Sequence, residues 1–189
     1  MSAYGWAETL IEAQGSGSNL TASTTATSLL PTAAVYTLPA NFFSRPGKML
    51  KIIAAGQLGN IVTTPGTLTI DVQLGGSVVA FNGGAMQLSS TAHTTLPFWL
   101  EIILTCRAVG SGTSANLMGQ GRMTAQSLSL TAVADSTTTP ATLLLPNTTP
   151  AVGTGFDSTV AQKVDLRGTF SLNNANAIQL HQYALIAMN

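Results

Sequence analysis

Residues 66–76 read Gly-Thr-Leu-Thr-Ile-Asp-Val-Gln-Leu-Gly-Gly. Because successive side chains of a β-strand point to opposite faces, this alternation predicts a strand with one apolar face and one polar face. The apolar face comprises Leu68, Ile70, Val72 and Leu74, and the polar face comprises Thr67, Thr69, Asp71 and Gln73. We expect the strand to form an outer element of a sandwich wall and to turn at Gly75-Gly76 into a hairpin partner.

The remainder of the chain repeats this alternation in segments separated by clusters of Gly, Pro, Asn and Ser. About eight such segments, with no helix-period stretch beyond residue 28, predict an all-β fold. Long connections at 82–96 and 147–159 are interleaved with tight hairpins, which favours a single antiparallel β-sandwich with jelly-roll connectivity. An immunoglobulin-like sandwich is the alternative, although the chain lacks the Cys-Trp-Cys spacing of the antibody-type members. The loops 132–140 and 147–159 are the expected variable surface.

Two predicted strands are apolar on both faces. In residues 96–109, one face carries the main set of apolar side chains. Trp99 and Ile103 lie on the opposite face, together with Glu101. In residues 177–188, Tyr183 and Leu185 have the opposite parity to the apolar residues that begin the strand, so either a bulge intervenes or both faces are covered. We expect these four apolar side chains to contact the N-terminal segment or a neighbouring subunit. A hairpin after residue 109 would place Arg122 across from Glu101.

The first 28 residues predict an N-terminal arm, and residues 29–189 predict the β-sandwich domain. The large apolar side chains of the arm before residue 20 are Trp6, Leu10 and Ile11, followed by the flexible run Gly-Ser-Gly-Ser-Asn at 15–19. These three side chains are candidate anchors on a neighbouring subunit. The alternatives, a frayed terminus or an extra edge strand on the arm's own domain, have equal weight.

The composition favours a protein that works inside an assembly. Hydrophobic residues make up 45% of the 189-residue chain, but charged residues only 7%, and seven basic residues balance seven acidic ones. Such a surface has little charge repulsion to keep copies apart. A monomer solvated by hydroxyls and amides is the alternative. The basic residues are scattered, which argues against binding nucleic acid.

The chain lacks the pattern of a signal peptide and an apolar run of membrane-spanning length. Cys106 is the lone cysteine, within an apolar strand, which is typical of a small core residue. The histidines, His93 and His181, lie on different predicted elements, and Asp157 is more typical of a turn cap than of a cation ligand. We therefore expect no catalytic, cofactor-binding or metal-binding residues and no enzyme activity.

Several strand-and-turn phrases resemble tailed-bacteriophage virion proteins of the jelly-roll or β-sandwich minor capsid type, called decoration or head-fibre proteins. They are Tyr-Thr-Leu-Pro-Ala-Asn-Phe-Phe at 36–43, Gly-Lys-Met-Leu-Lys-Ile at 47–52, Thr-Thr-Pro-Gly-Thr-Leu-Thr at 63–69, Phe-Asp-Ser-Thr at 156–159 and the Asn-rich turn at 173–176. The resemblance spans residues 35–188 and transfers no functional residues.

The resemblance implies a structural virion protein that binds the lattice of the major capsid protein and stabilises the head. It implies a symmetric homo-oligomer, a trimer, made in the host cytoplasm and located on the capsid surface. No cofactor, nucleic acid or membrane is implied.

Two other classes remain open. A carbohydrate-binding or receptor-binding β-module of a phage fibre or tail would need exposed aromatic side chains, and Trp6, Tyr36, Trp99 and Tyr183 are few and dispersed. The shell-forming coat of a small virus often carries a basic arm, whereas residues 1–28 contain no Lys or Arg.

Overall fold

The computed structural model describes residues 6–61, 64–129 and 140–188. The described residues form twelve β-strands and one short 3-10 helix at Thr32–Ala34. The strands are β1 (Ala7–Glu12), β2 (Leu20–Thr21), β3 (Thr27–Ser28), β4 (Tyr36–Leu38), β5 (Met49–Asn60), β6 (Thr67–Leu74), β7 (Val78–Gln87), β8 (His93–Ala108), β9 (Asn116–Ala125), β10 (Ala141–Leu145), β11 (Gln162–Phe170) and β12 (Ala177–Met188). The predicted loop 132–140 lies outside the described residues except for Pro140.

The strands divide into two antiparallel sheets, which confirms the predicted all-β sandwich. Within the described residues, the larger sheet has the order β1-β12-β5-β8-β9-β10, and β2 also pairs with β12. The smaller sheet has the order β3-β11-β6-β7, and β4 also pairs with β11. Strands β4 to β12 fall on the segments predicted to be strands, although β7 and β8 extend into the predicted connection 82–96. The early strands β5 and β6 pair with the late strands β12 and β11.

The core lies between the sheets and is built from the inward set of each alternating strand. Ile52 of β5, Ile102 of β8 and Ile70 of β6 are fully buried, as is Cys106. Gly119 of β9 allows close packing of the sheets, because a Cβ atom there would lie 2.1 Å from the ring of Phe81. Apolar side chains that interdigitate in this way supply the main stabilisation of a sandwich.

Strand β6, the clearest alternating segment of the sequence, has a different position from the one expected. β6 lies between β11 and β7 as a central strand, and Asp71 and Gln73 of its polar face are each only 8% exposed. Asp71 is flanked in register by Arg167 of β11 and Asn82 of β7. Burial raises the pKa of Asp71, and the positive charge of Arg167 opposes that rise. The expectation of an outer strand with a wet polar face is therefore wrong for Asp71 and Gln73, which are buried in a central strand.

The N-terminal segment joins both sheets of its own domain. β1 pairs with β12 and forms one edge of the larger sheet, while β3 pairs with β11 in the smaller sheet. Leu10, Ile11 and Ala13 pack against the core. Of the alternatives that the sequence left open, the structure shows the edge strand.

The closing strand contains the predicted bulge. The pairing of β12 with β5 shifts between Leu180 and Gln182, so His181 is the extra residue. Gly56 of β5 permits the close approach there, because a Cβ atom would lie 2.1 Å from the backbone oxygen of Gln179. The predicted hairpin at Gly75-Gly76 is also confirmed, since β6 and β7 pair on either side of it.

Candidate functional site

The outward surface of the larger sheet carries many apolar side chains and is not covered by any other strand of the described residues. We call it the outer face. It comprises Ala7, Thr9 and Glu12 of β1; Met49, Lys51, Ile53 and Ala55 of β5; Trp99, Glu101, Ile103 and Thr105 of β8; Met118, Gln120, Arg122 and Thr124 of β9; Thr142 and Leu144 of β10; and Gln182, Ala184, Ile186 and Met188 of β12. These residues alternate with the buried residues of the same strands, so strand parity alone turns them outward.

The large apolar side chains of this face are exposed to an unusual degree. Leu144 is 73% exposed, Trp99 is 46% exposed and Ile103 is 37% exposed. Met49, Ile53, Met118, Ile186 and Met188 are half-buried around them. A contiguous apolar surface on a chain with few charges typically marks a site of contact with another molecule.

A small ion cluster lies in the middle of the outer face. The Nζ atom of Lys51 lies 2.5 Å from Oε1 of Glu101, and Nη2 of Arg122 lies 3.2 Å from Oε2 of the same carboxylate. The hydrogen bond from Lys51 is the main cause that lowers the pKa of Glu101, and the charges of both cations lower it further. The Glu101–Arg122 pair confirms the cross-strand pairing expected from the sequence.

One cross-strand row traverses the whole outer face. Neighbouring strands pair Glu12 with Ala184, Ala184 with Ile53, and Ile53 with Glu101. The row continues from Glu101 to Arg122 and ends at Leu144 of β10. It therefore begins with a negative charge at one edge of the sheet and carries a positive charge near the other edge.

A groove of about 560 Å³ lies beside the Trp99 ring. It is lined by Ala55, Gly56, Pro97, Phe98, Trp99, Thr124, Ala125, Gln126, Pro140, His181 and Gln182. The Nδ1 atom of His181 is 2.8 Å from Oγ of Ser16, which ties the bulge of β12 to the segment after β1. The groove combines one indole surface with several neutral hydrogen-bonding side chains.

The structure brings only some of the predicted contact residues together. Trp99 and Ile103 lie on the outer face, as expected, and Trp6 is 47% exposed just before β1. Leu10 and Ile11 pack against their own core. Tyr183 and Leu185 are 4% and 0% exposed because the bulge turns them inward, so they are not part of the exposed face.

Sequence reasoning missed Leu144 and Glu12 as members of the outer face. Residues 143–145 are three consecutive leucines, so no alternation distinguishes the outward Leu144 from its buried neighbours. Glu12 turns outward because the pairing of β1 shifts between Thr9 and Ile11. Only a register shift decides its direction, and no sequence signal marks that shift.

The other candidates for chemistry remain apart. His93 is buried and His181 is exposed at the bulge of another strand. Asp157 accepts hydrogen bonds from the hydroxyl of Thr159 and from the backbone N–H groups of Gly112 and Thr159, so it caps a turn, as expected. These bonds lower the pKa of Asp157, and the bond from the Thr159 hydroxyl lowers it most. Within ranges 6–61, 64–129 and 140–188, no three His, Cys, Asp or Glu side chains are grouped to hold a metal ion. In the same ranges, no helix has the length and apolarity to span a bilayer.

Comparison with known proteins adds one distant likeness. No protein-family model matches the chain, and no curated protein matches it. Among solved structures, the chain is similar to the CBM2 module of the evolved Dit of Lactobacillus casei BL23 phage J-1, with 9% sequence identity and a TM-score of 0.30. The likeness covers 97% of this chain and 96% of that chain. At this TM-score it carries no argument about fold or function.

Proposed function

We propose that this protein is a structural subunit of a tailed-phage virion and that the outer face of its larger sheet is a protein-contact surface. The observation that carries the proposal is the exposure of Leu144, Trp99 and Ile103 together on one face. Burying such side chains against a partner stabilises a complex by roughly 25 cal/mol per Å² of apolar surface, before the cost of association is subtracted.

The chemistry of the outer face suits a protein partner. Its apolar residues are mostly aliphatic or Met, which pack against the side chains of another protein, and Trp99 is the one aromatic side chain among the residues that define this face. The Lys51–Glu101–Arg122 cluster at its centre fixes the orientation of a bound partner, because the partner must present matching polar groups there. An apolar surround with a polar centre therefore supplies both affinity and register.

The resemblance of the sequence to minor capsid proteins supports a finer form of the proposal. In that form the protein is a head decoration protein on the capsid surface, forms a homotrimer and binds the lattice of the major capsid protein. Nucleic acid and membranes are not partners in this proposal, because the basic side chains are scattered over the chain.

The proposal is tested by measuring how well folded variants of the outer face bind to phage heads that lack the protein. The purified protein should co-sediment with phage heads that lack it, and Ile103→Asp should reduce that binding at least about tenfold, since a buried unpaired carboxylate costs several kcal/mol. Leu172→Asp is the matched control, because Leu172 is also 37% exposed but lies beyond the end of β11. Equal binding by wild type and Ile103→Asp, both folded, would contradict the proposal.

A carbohydrate-binding function is the second candidate, and the groove beside Trp99 favours it. An exposed indole next to Thr124, Gln126 and Gln182 could stack on a sugar ring and hydrogen-bond its hydroxyls. A glycan array separates the two functions. Binding that is lost in Trp99→Ala and kept in Ile103→Ala would support the carbohydrate function, and an array without hits would remove it.

A further inference from the structure

We propose that the outer face binds a second copy of this chain about a two-fold axis that runs parallel to the strands at Ile53. In this arrangement Glu12 of each copy faces Arg122 of the other copy. The inference rests on the proposed function and specifies its partner.

The row across the outer face supplies the geometry. Strands in a sheet are about 4.8 Å apart. In the order β1-β12-β5-β8-β9, Glu12 lies two strands to one side of Ile53 and Arg122 lies two strands to the other side. A two-fold axis along β5 reverses the order of the strands between the copies, so Ile53 faces its own equivalent and Glu12 faces Arg122, while Leu144 of β10 lies beyond β1 of the other copy.

The adjacent row is also self-complementary. Ile186 of β12 and Ile103 of β8 lie on either side of Lys51, at the same level along the strands. The same axis therefore places Ile186 of one copy against Ile103 of the other. Sheets that face each other pack about 10 Å apart with their strands aligned within about 30°, a separation that side chains of this size fill.

The charges of the two rows sum to zero. The two rows contain the carboxylates of Glu12 and Glu101 and the cations of Lys51 and Arg122. The axis brings the Lys51 side chains of the two copies near each other, but each is held toward its own Glu101 at 2.5 Å. The carboxylate of Glu101 in the facing copy then lies on the other side of each ammonium group, so the charges alternate.

Glu12 and Arg122 cannot pair within one chain. Four strand spacings separate them, about 19 Å at ~4.8 Å each. The two ion pairs among the described residues share the carboxylate of Glu101, and Glu12 takes part in neither of them. A coupling between these two charges in solution would therefore report contact between copies.

The size of the face is adequate for a stable pair. Five strands, β1, β12, β5, β8 and β9, overlap their counterparts about this axis and span about 19 Å, and a ten-residue strand such as β9 spans about 33 Å, which gives roughly 630 Å² per copy. Stable interfaces begin at about 600 Å² per partner, so this overlap lies at the lower end of their range. Because the same patch is used on both copies, the contact is isologous and closes at two copies. The inference therefore keeps the proposed contact role of the outer face but replaces the homotrimer of its finer form with a dimer.

The experiment is a charge-reversal cycle on the full chain, measured by sedimentation equilibrium. Wild type should have twice the 19.4 kDa mass of the chain. Glu12→Lys and Arg122→Glu should each raise the dissociation constant at least about tenfold, the size expected for like charges that face each other. The double variant should recover most of the wild-type affinity.

Glu8→Lys is the matched control. Glu8 is exposed on the same strand, but it pairs with the buried Ala187 and so lies off the outer face. It should leave the dissociation constant unchanged. A monomeric wild type, or single variants whose defects add in the double variant instead of cancelling, would overturn the inference.

The outcome is separable from that of the proposed function. If the charge variants keep the wild-type mass while Ile103→Asp still fails to enter particles, the outer face binds a different protein and only the inference fails. If Ile103→Asp enters particles normally, the proposed function fails as well.

Discussion

At the scale of the residue, Tyr183 shows how a predicted contact residue becomes a core residue. Its side chain is buried in the core, and its hydroxyl has no hydrogen-bond partner among the described residues. Burial, and secondarily the charge of Asp165, raises the pKa of Tyr183 well above its usual value. A buried donor without a partner carries its full desolvation cost, about 1–3 kcal/mol.

We predict that Tyr183→Phe will raise the free energy of unfolding by about 1 kcal/mol, because it removes the unpaired hydroxyl and keeps the ring. Urea denaturation of wild type and variant measures the difference. Tyr36→Phe, at a half-buried tyrosine of β4, should change stability by less than about 0.5 kcal/mol. A loss of stability in Tyr183→Phe would show that the hydroxyl has a partner.

The ion pairs of Glu101 predict how the stability of the protein depends on pH. Its pKa is lower in the folded protein than in the unfolded chain, mainly through the hydrogen bond from Lys51. The contribution of its ion pairs is therefore complete above the unfolded pKa and is lost as the pH falls through the folded pKa.

Glu101→Gln should accordingly be less stable than wild type at neutral pH by under about 1 kcal/mol, since the pairs are partly exposed. The difference should shrink between neutral pH and an acidic pH below the ordinary Glu pKa of about 4.3. Free energies of unfolding at both pH values test this. A difference that does not change with pH would mean that the variant acts through packing instead of charge.

At the scale of the element, β1 is the feature most changed by the structure. The sequence allowed an arm on a neighbour, but the backbone of Ala13 donates to the carbonyl of Tyr183, and Leu10 and Ile11 pack on the core. β1 therefore covers the edge of β12 that an isolated sheet would expose. Uncovered edges are templates for aggregation.

We predict that deleting residues 1–19 will leave the sandwich folded but less stable, and prone to aggregate through β12. Amide exchange of residues 182–188 should become faster, because their hydrogen-bond partners on one side are lost. Deleting only residues 1–5 is the control and should not change exchange in β12. Unchanged exchange after the longer deletion would contradict the edge-protecting role.

The sequence predicted the fold class and long strands well, because alternation is visible wherever one face of a strand is buried and the other is wet. It predicted the polar face of β6 poorly, because burial of Asp71 depends on Arg167 and Asn82 from neighbouring strands. Of the outer face, Trp99 and Ile103 were predictable from parity. Leu144 and Glu12 were not, since a uniform leucine run and a register shift leave no periodic signal.

At the scale of the whole molecule, both sheets are held together by pairing between strands that are far apart in the sequence. β5 pairs with β12, and β6 pairs with β11, so both sheets need the early and late strands together. Such non-local pairing requires long loops to close, and the entropy of closure is lost before the stabilising contacts form. This slows folding.

We predict a single cooperative unfolding transition and refolding in the range of milliseconds to seconds, as for other all-β sandwiches. Stopped-flow fluorescence of Trp99 and Trp6 would follow it. Refolding in microseconds, or separate transitions for the two sheets, would contradict the dependence on long-range pairing. The N-terminal strands strengthen the expectation, because β1 and β3 join the segment to both sheets.

The extra residue His181 also affects how relatives of this chain could be recognised. It divides β12 into two stretches whose hydrophobic patterns are out of phase, with Leu180 inward before it and Tyr183 inward after it. A homologue without the insertion would keep one phase throughout. Position-by-position alignment would then score its final strand as unrelated on one side of residue 181, although both chains fill the same core. A single inserted residue can in this way hide common ancestry while leaving the architecture intact.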